Sequence, residues 1–421
     1  MLGRTLLLMV VIAVGTALAA CGDDDAAGGP ATLRWFIFNE PSGAPQKVAQ
    51  RCSEQSNGRY RIEFSYLPAQ ADQQREQLVR RLGAEDESLD LLGLDVVWTG
   101  EFANAGWIRP VPADTERAVT ENVFQSVLET ARFEDRLYTV PIWSNTQLLW
   151  YRKDRVPRAP RTWDEMLRQA ERIGRDEGRI QVQANRYEGL VVLVNQLIES
   201  AGTSILAGPK EIELEREATE RALAVLGRLS NSPVTPPNIT TSTEDTARLG
   251  FEGGDSTFQI NYPFVYPSAK ENAPDVFRQM GAALYPRVDP DRPSEPPIGG
   301  INIGVSAFSK NPELAFEAIE CLIQPDNQLE IAQLGGLPPV RSDVYDRPEI
   351  EKIYPGFADL IHTSIENAAP RPSESPAYQD LSLAIQRAIH PTTQISPTNP
   401  DETYERLRDN VEKAVKREGL L

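Results

Sequence analysis

PIWSNTQLLWYRKD, Pro141 to Asp154, decides how the rest of the chain is read. It holds two of the chain's six tryptophans, Trp143 and Trp150, with Tyr151 beside the second. Between the aromatics lies a polar island, Ser144-Asn145-Thr146-Gln147. The apolar runs on either side, Tyr138–Ile142 and Leu148–Tyr151, have the length and composition of buried strands. A single buried strand would leave the island's amides without partners, at a cost of a few kcal/mol each. The stretch reads instead as a crossing, where a strand of one α/β unit ends and a core strand of another begins. Asn145 then sits at a strand end, with Gln147 behind it and Trp150 and Tyr151 in the second core.

Upstream, Leu33–Phe38 reads as a strand buried on both faces, ending in the turn cluster Asn39-Glu40-Pro41-Ser42-Gly43. Helical spacing follows around Val48, Ala49 and Cys52. Arg61–Leu67 alternates, with Ile62, Phe64 and Tyr66 on one face. Leu78, Val79 and Leu82 mark a helix stopped by Gly83, and Leu89–Val97 is again a buried-strand run. This order predicts a doubly wound α/β unit. Downstream, Thr162-Trp163-Asp164-Glu165 predicts a capping box, and Asn311-Pro312 an N-cap with Pro at the first helical position. Tyr187–Ser200 reads as an apolar helix, Gly335-Gly336 as a helix end, and Asp401–Arg417 as an amphipathic helix of mixed charge.

With 421 residues, 40% of them hydrophobic and 25% charged, the chain has the composition of a globular protein large enough for two domains. Residues 1–20 read as a signal: Arg4, an apolar run Leu6–Leu18, then Ala19-Ala20-Cys21 as in a bacterial lipobox. That pattern implies cleavage before Cys21 and lipidation of its thiol, with residues 21–30 as a flexible tether. An ordinary signal with a chance cysteine is the alternative. The formal net charge is −18, or −19 once Arg4 is removed, which argues against nucleic acid as a partner. Cys52 and Cys321 then remain, either as a disulfide of an exported protein or as two buried thiols.

The chemistry-bearing residues are few in kind. There are two histidines, His362 and His390, and no phosphate-binding or dinucleotide fingerprint, so no metal site and no cofactor is expected. A pair of carboxylates for glycoside hydrolysis cannot be dismissed by counting among 61 acidic residues. Polar residues recur where buried strands end: Asn39 and Glu40 after the first, Asp95, Trp98 and Thr99 at the third, and Asn145 after Ile142. Ligands of open α/β sheets bind at the carboxyl ends of strands. Asp, Asn and Gln suit sugar hydroxyls, which both donate and accept.

Further motifs extend this pattern along the chain. They are Phe251-Glu252-Gly253-Gly254-Asp255-Ser256-Thr257-Phe258, Gly299–Val305 followed by Ser309-Lys310-Asn311-Pro312, and Gly335-Gly336-Leu337-Pro338-Pro339-Val340. In this order, after a lipobox, the chain resembles the solute-binding proteins of ABC importers, the family of maltose and trehalose binders. Leu94–Thr99, Asn145–Tyr151 and Gln183-Ala184-Asn185 are most similar to the trehalose-binding lipoproteins of mycobacterial trehalose-recycling importers. The resemblance implies a two-lobed periplasmic-binding-protein fold (type II). One lobe would span 31–141 plus 295–335 and the other 142–294 plus 336–421, with the ligand in the cleft between them. It implies a disulfide between Cys52 and Cys321, and sugar contacts at Asp95, Asn145, Gly300 and Arg371. Relatives carry a Glu-Glu pair where this chain has Glu244-Asp245, which puts Asp245 in the expected set. They carry Trp where it has Tyr262. Asn39 and Glu40 depart from the relatives and are kept as contacts for their strand-end position.

The expected function is a lipid-anchored, monomeric, non-enzymatic binder on the outer face of the membrane. It would hand trehalose or a related α-glucosyl disaccharide to a permease backed by an ATPase subunit. The alternatives are a binder of an oligosaccharide, polyol or glycerophosphodiester, and a lipid-anchored glycoside hydrolase.

Overall fold

The computed structural model describes residues 29–417. The signal segment and Cys21 lie outside them. The strands are β1 (Ala31–Phe38), β2 (Tyr60–Leu67), β3 (Leu91–Asp95), the short pair β4 (Arg132–Phe133) and β5 (Arg136–Leu137), β6 (Thr139–Asn145), β7 (Leu148–Arg152), β8 (Arg179–Gln181), β9 (Ser256–Asn261), β10 (Met280–Ala283) and β11 (Gly299–Val305). They form a five-stranded sheet in the order β2-β1-β3-β11-β6 and a four-stranded sheet in the order β10-β7-β9-β8. β1 runs parallel to β2 and β3, while β11 is antiparallel to both β3 and β6. The carboxyl ends of β1, β3 and β6 therefore emerge on one side, together with the first residues of β11.

The opening stretch is the first passage between the sheets, but the passage is shorter and later than a boundary at 141/142. β6 stays paired with β11 as far as Asn145 opposite Gly299, and β7 begins at Leu148. Only Thr146 and Gln147 span the two sheets. Trp150 is buried in β7, and its Nε1 donates to the Asn261 carbonyl at 2.9 Å. The chain returns between β10 and β11. It passes again after β11, through helices that pack on the first sheet, to the helix Tyr378–Ile389 beside Glu188–Ala201 and Asp401–Lys416.

Local signals hold with instructive exceptions. β3 covers only Leu91–Asp95 of the run Leu89–Val97, because the Asp95 side chain accepts the Val97 N–H at 3.2 Å and turns the chain. Thr162 caps its helix by accepting from Glu165 N–H. The Glu165 carboxylate takes the Arg161 N–H instead of that of Thr162, so only half of the capping box forms. Pro312 opens its helix, but the Asn311 side chain caps nothing. Cys52 and Cys321 are disulfide-bonded, joining the helix Ala44–Gln55 to the helix Pro312–Leu322 across 269 residues of sequence. Cys321 sits off the buried stripe Ala315, Phe316, Ile319, Leu322, where it can face Cys52.

Candidate functional site: a cleft between the two sheets

A cavity of about 310 Å3 lies where the strand ends of the first sheet face the second. The first sheet contributes Phe38 at the end of β1, Asp95 at the end of β3, Trp143 and Asn145 on β6, and Gly299–Ile301 on β11. The other wall carries Tyr187, Glu188 and Gly189 at the start of the helix Glu188–Ala201, Glu244 at the start of the helix Glu244–Glu252, and Tyr262 just past β9. Arg371, Val192 and the segment Ala69–Ala71 with Gln74, at the start of the helix Ala71–Leu82, also line it. Phe38 and Trp143 meet edge to face with centroids 6.3 Å apart, giving an aromatic patch on the first sheet's side of the cavity.

Each backbone element aims its residue for a local reason. Gly300 has φ +128, and a Cβ there would lie 2.2 Å from the Trp143 carbonyl oxygen. Glycine is what lets β11 approach β6 at the bulge between Ile301 and Asn302. Thr243 and Thr246 form a capping box that starts the helix Glu244–Glu252 and fixes the direction of Glu244.

Two polar networks share the cavity. In the first, Arg371, 5% exposed, donates from Nη1 to Glu188 and from Nη2 to Asp95 Oδ1 at 3.3 Å. Glu188 also accepts from the Tyr378 hydroxyl and, at 2.6 Å, from Ser382. Burial holds the Glu188 carboxyl above its ordinary pKa, against the pull of Arg371, Ser382 and Tyr378. Burial also works against the Arg371 charge, but Tyr378, Asp95 and Glu188 keep its pKa well above the usual value. In the second network the Tyr187 hydroxyl donates to Glu244 Oε2. Burial raises the Glu244 pKa, and among the described residues no cation is in contact with it to reverse the effect. Burial, reinforced by Glu244, raises the Tyr262 pKa, so this ring presents a protonated hydroxyl.

Of the expected contacts, Asp95, Asn145, Gly300, Tyr262 and Arg371 come together in this cavity. Three do not. Asp245 points outward, its side chain 76% exposed and 3.4 Å from Arg248, while its neighbour Glu244 faces in. Successive helix residues diverge by about 100°, and here that turn carries Asp245 out to solvent beside Arg248. Asn39 is exposed, and the Glu40 carboxylate is occupied by the backbone N–H and hydroxyl of Ser42. The cavity instead takes Phe38 from the end of β1. Trp98 and Thr99 also turn away. Trp98 stacks on Phe102 in the core, and the Thr99 hydroxyl meets that of Thr139 at 3.1 Å. Gln147 is fully buried and does not line the cavity. Sequence reasoning missed Tyr187, Glu188 and Glu244. Tyr187 and Glu188 carry the signal of an aromatic and an acid at the start of a helix that follows β8, whereas Glu244 opens a helix that follows the 3-10 turn Ile239–Thr241.

Residues 47–356 match the bacterial extracellular solute-binding protein family. The chain belongs to this family. The solute-binding protein is 24% identical over 346 residues to a probable ABC transporter-binding protein of Deinococcus radiodurans, covering 78% of this chain and 81% of that one. Maltose-bound MalE3 of T. maritima aligns with a TM-score of 0.78 at 26% identity, over 92% of this chain and 99% of that one. A solute-binding protein of Thermotoga lettingae bound with α-D-tagatose aligns at 0.76 and 22% identity over 91% and 100%, a likeness of fold. The fold is thus the two-lobed maltose-binding type expected from sequence. Membership of a solute-binding family makes the chain a binder and not an enzyme.

Proposed function

We propose that this solute-binding protein captures trehalose or a related α-glucosyl disaccharide and delivers it to the membrane subunits of an ABC importer. The observation that carries the reading is the cavity's composition. An aromatic pair, Phe38 and Trp143, shares the cavity with carboxylates, an amide, a guanidinium and a phenol drawn from both walls. Aromatic faces suit the C–H face of a sugar ring, and the polar groups suit its hydroxyls. The volume of about 310 Å3 is at the small end of ligand sites, which favours a compact solute over a long oligosaccharide. Binding draws the lobes together by contacts made only in the closed state. Asp95, Asn145, Gly300, Tyr262, Arg371 and Glu244 are the proposed contacts.

Calorimetry or tryptophan fluorescence with trehalose, maltose and related glucosides tests the reading. Heat or a spectral change with trehalose is expected, and silence with every α-glucoside sinks it. We also propose that Cys21 is lipidated and tethers a monomer to the outer face of the membrane. Cys21→Ala should release the protein from the membrane fraction.

A further inference from the structure

Arg371 is carried on the segment between the helices Ala358–Glu366 and Tyr378–Ile389, and this segment is tied to both lobes. On the first-lobe side the Gly100 N–H donates to the Ser373 carbonyl at 3.3 Å. A Cβ at Gly100 would lie 2.7 Å from the carbonyl oxygens of both Ser373 and Glu374, so the fit leaves no room for a side chain. On the second-lobe side, Gln196 donates to the Ala369 carbonyl at 3.4 Å. The guanidinium therefore sits between a carboxylate of each lobe, Asp95 from the end of β3 and Glu188 from the start of a helix.

Glu188 is unusually well held for a cleft residue. Its two oxygens accept from three donors, Arg371, Tyr378 and Ser382. A guanidinium on a flexible four-bond stem loses its aim unless something fixes the fork. The Arg371 Nε is buried without a partner, so the Nη groups alone set the fork's direction. Nη1 points to Glu188, with the Tyr378 hydroxyl as a longer acceptor at 3.4 Å, and Nη2 points to Asp95 across the cleft.

We propose that Glu188 is the positioning residue of the binding site: its carboxyl group, braced by Tyr378 and Ser382, holds Arg371 aimed across the cleft at Asp95, and this chain of three contacting groups couples the two lobes. The proposal rests on the assignment of the cleft as the solute site. Glu188 acts through Arg371, so its contribution vanishes when Arg371 is removed.

A double-mutant cycle on the full mature chain tests this, with trehalose affinity as the readout. Glu188→Gln and Arg371→Gln should each weaken binding about tenfold or more, and the double variant should be no weaker than the worse single. Losses that simply multiply overturn the proposal, because a residue of merely structural importance gives them. Ser382→Ala, which removes one brace and leaves the carboxylate in place, should weaken binding less than Glu188→Gln does. An equal or larger loss overturns the bracing. If the wild type binds no sugar, the functional reading has failed, and the ligand-free protein decides the positioning. The Arg371 Nε–H resonance should be sharp in wild type and broadened or shifted in Glu188→Gln. An identical resonance in the two overturns the proposal.

Discussion

Tyr187 and Glu188 are neighbours in sequence, yet they serve two networks of opposite character. Glu188 meets a cation, Arg371, which in turn meets Asp95 on the other lobe. Tyr187 meets Glu244, a carboxyl that burial drives toward its neutral form with no contacting cation to oppose it. One side of the cleft is therefore an ion-paired bridge, and the other is an acid that accepts from a phenol and whose pKa burial raises. The first fixes geometry between lobes. The second offers hydroxyl-like donors and acceptors that suit an uncharged ligand. A buried ion pair tolerates the loss of one partner badly, whereas an acid with no cation in contact loses less on replacement by an amide.

That contrast can be broken by mutation. Arg371→Ala should have the largest effect: a loss of affinity above about 100-fold, with stability lowered by about 3–5 kcal/mol as Asp95 and Glu188 face each other unpaired. Calorimetry and thermal melts read both. Asp95→Ala should abolish binding equally well but leave the melting temperature of the free protein nearly unchanged, because Arg371 keeps Glu188. A large drop in its melting temperature would show that the bridge is structural and not functional.

Glu244→Gln should weaken binding only about three- to tenfold. It should also change the pH dependence of stability. A carboxyl whose folded pKa is raised contributes stability that is fully present below its ordinary value and lost as pH rises through the raised one. Wild-type melting temperature should therefore fall across that window more steeply than that of Glu244→Gln. Parallel curves would mean that burial does not raise this carboxyl's pKa. Asp245→Ala should have the smallest effect, less than about twofold on affinity, because this side chain is solvated and its ion pair exposed.

Much of the fold was legible because apolar runs and helix signals are local. The strands at Leu33–Phe38 and around Leu148–Tyr151 need only their own side chains to be recognised. Cys321's place off its helix stripe was likewise visible, though its pairing with Cys52 came from resemblance. The cleft was legible only in part. Asp95 and Asn145 could be found because strand ends open toward one side of a parallel sheet. Glu244 could not be separated from Asp245, because that depends on how the helix Glu244–Glu252 is rotated on β8 and β9. Glu40 was misplaced for a local reason that is easily overlooked: Ser42, two residues on, takes its carboxylate.

The sequence by itself determined the elements, the α/β class, the acidic charge and the residue types available to a ligand. All of these follow from short-range periodicity and composition. The tertiary structure decided which side chains share the cleft, because residues as far apart as Asp95, Glu188 and Arg371 meet only when two sheets and three chain passages are set in place. It also moved the first passage to Thr146 and Gln147. The last residue of β6 is set by its partner on β11, which lies more than 150 residues away in sequence.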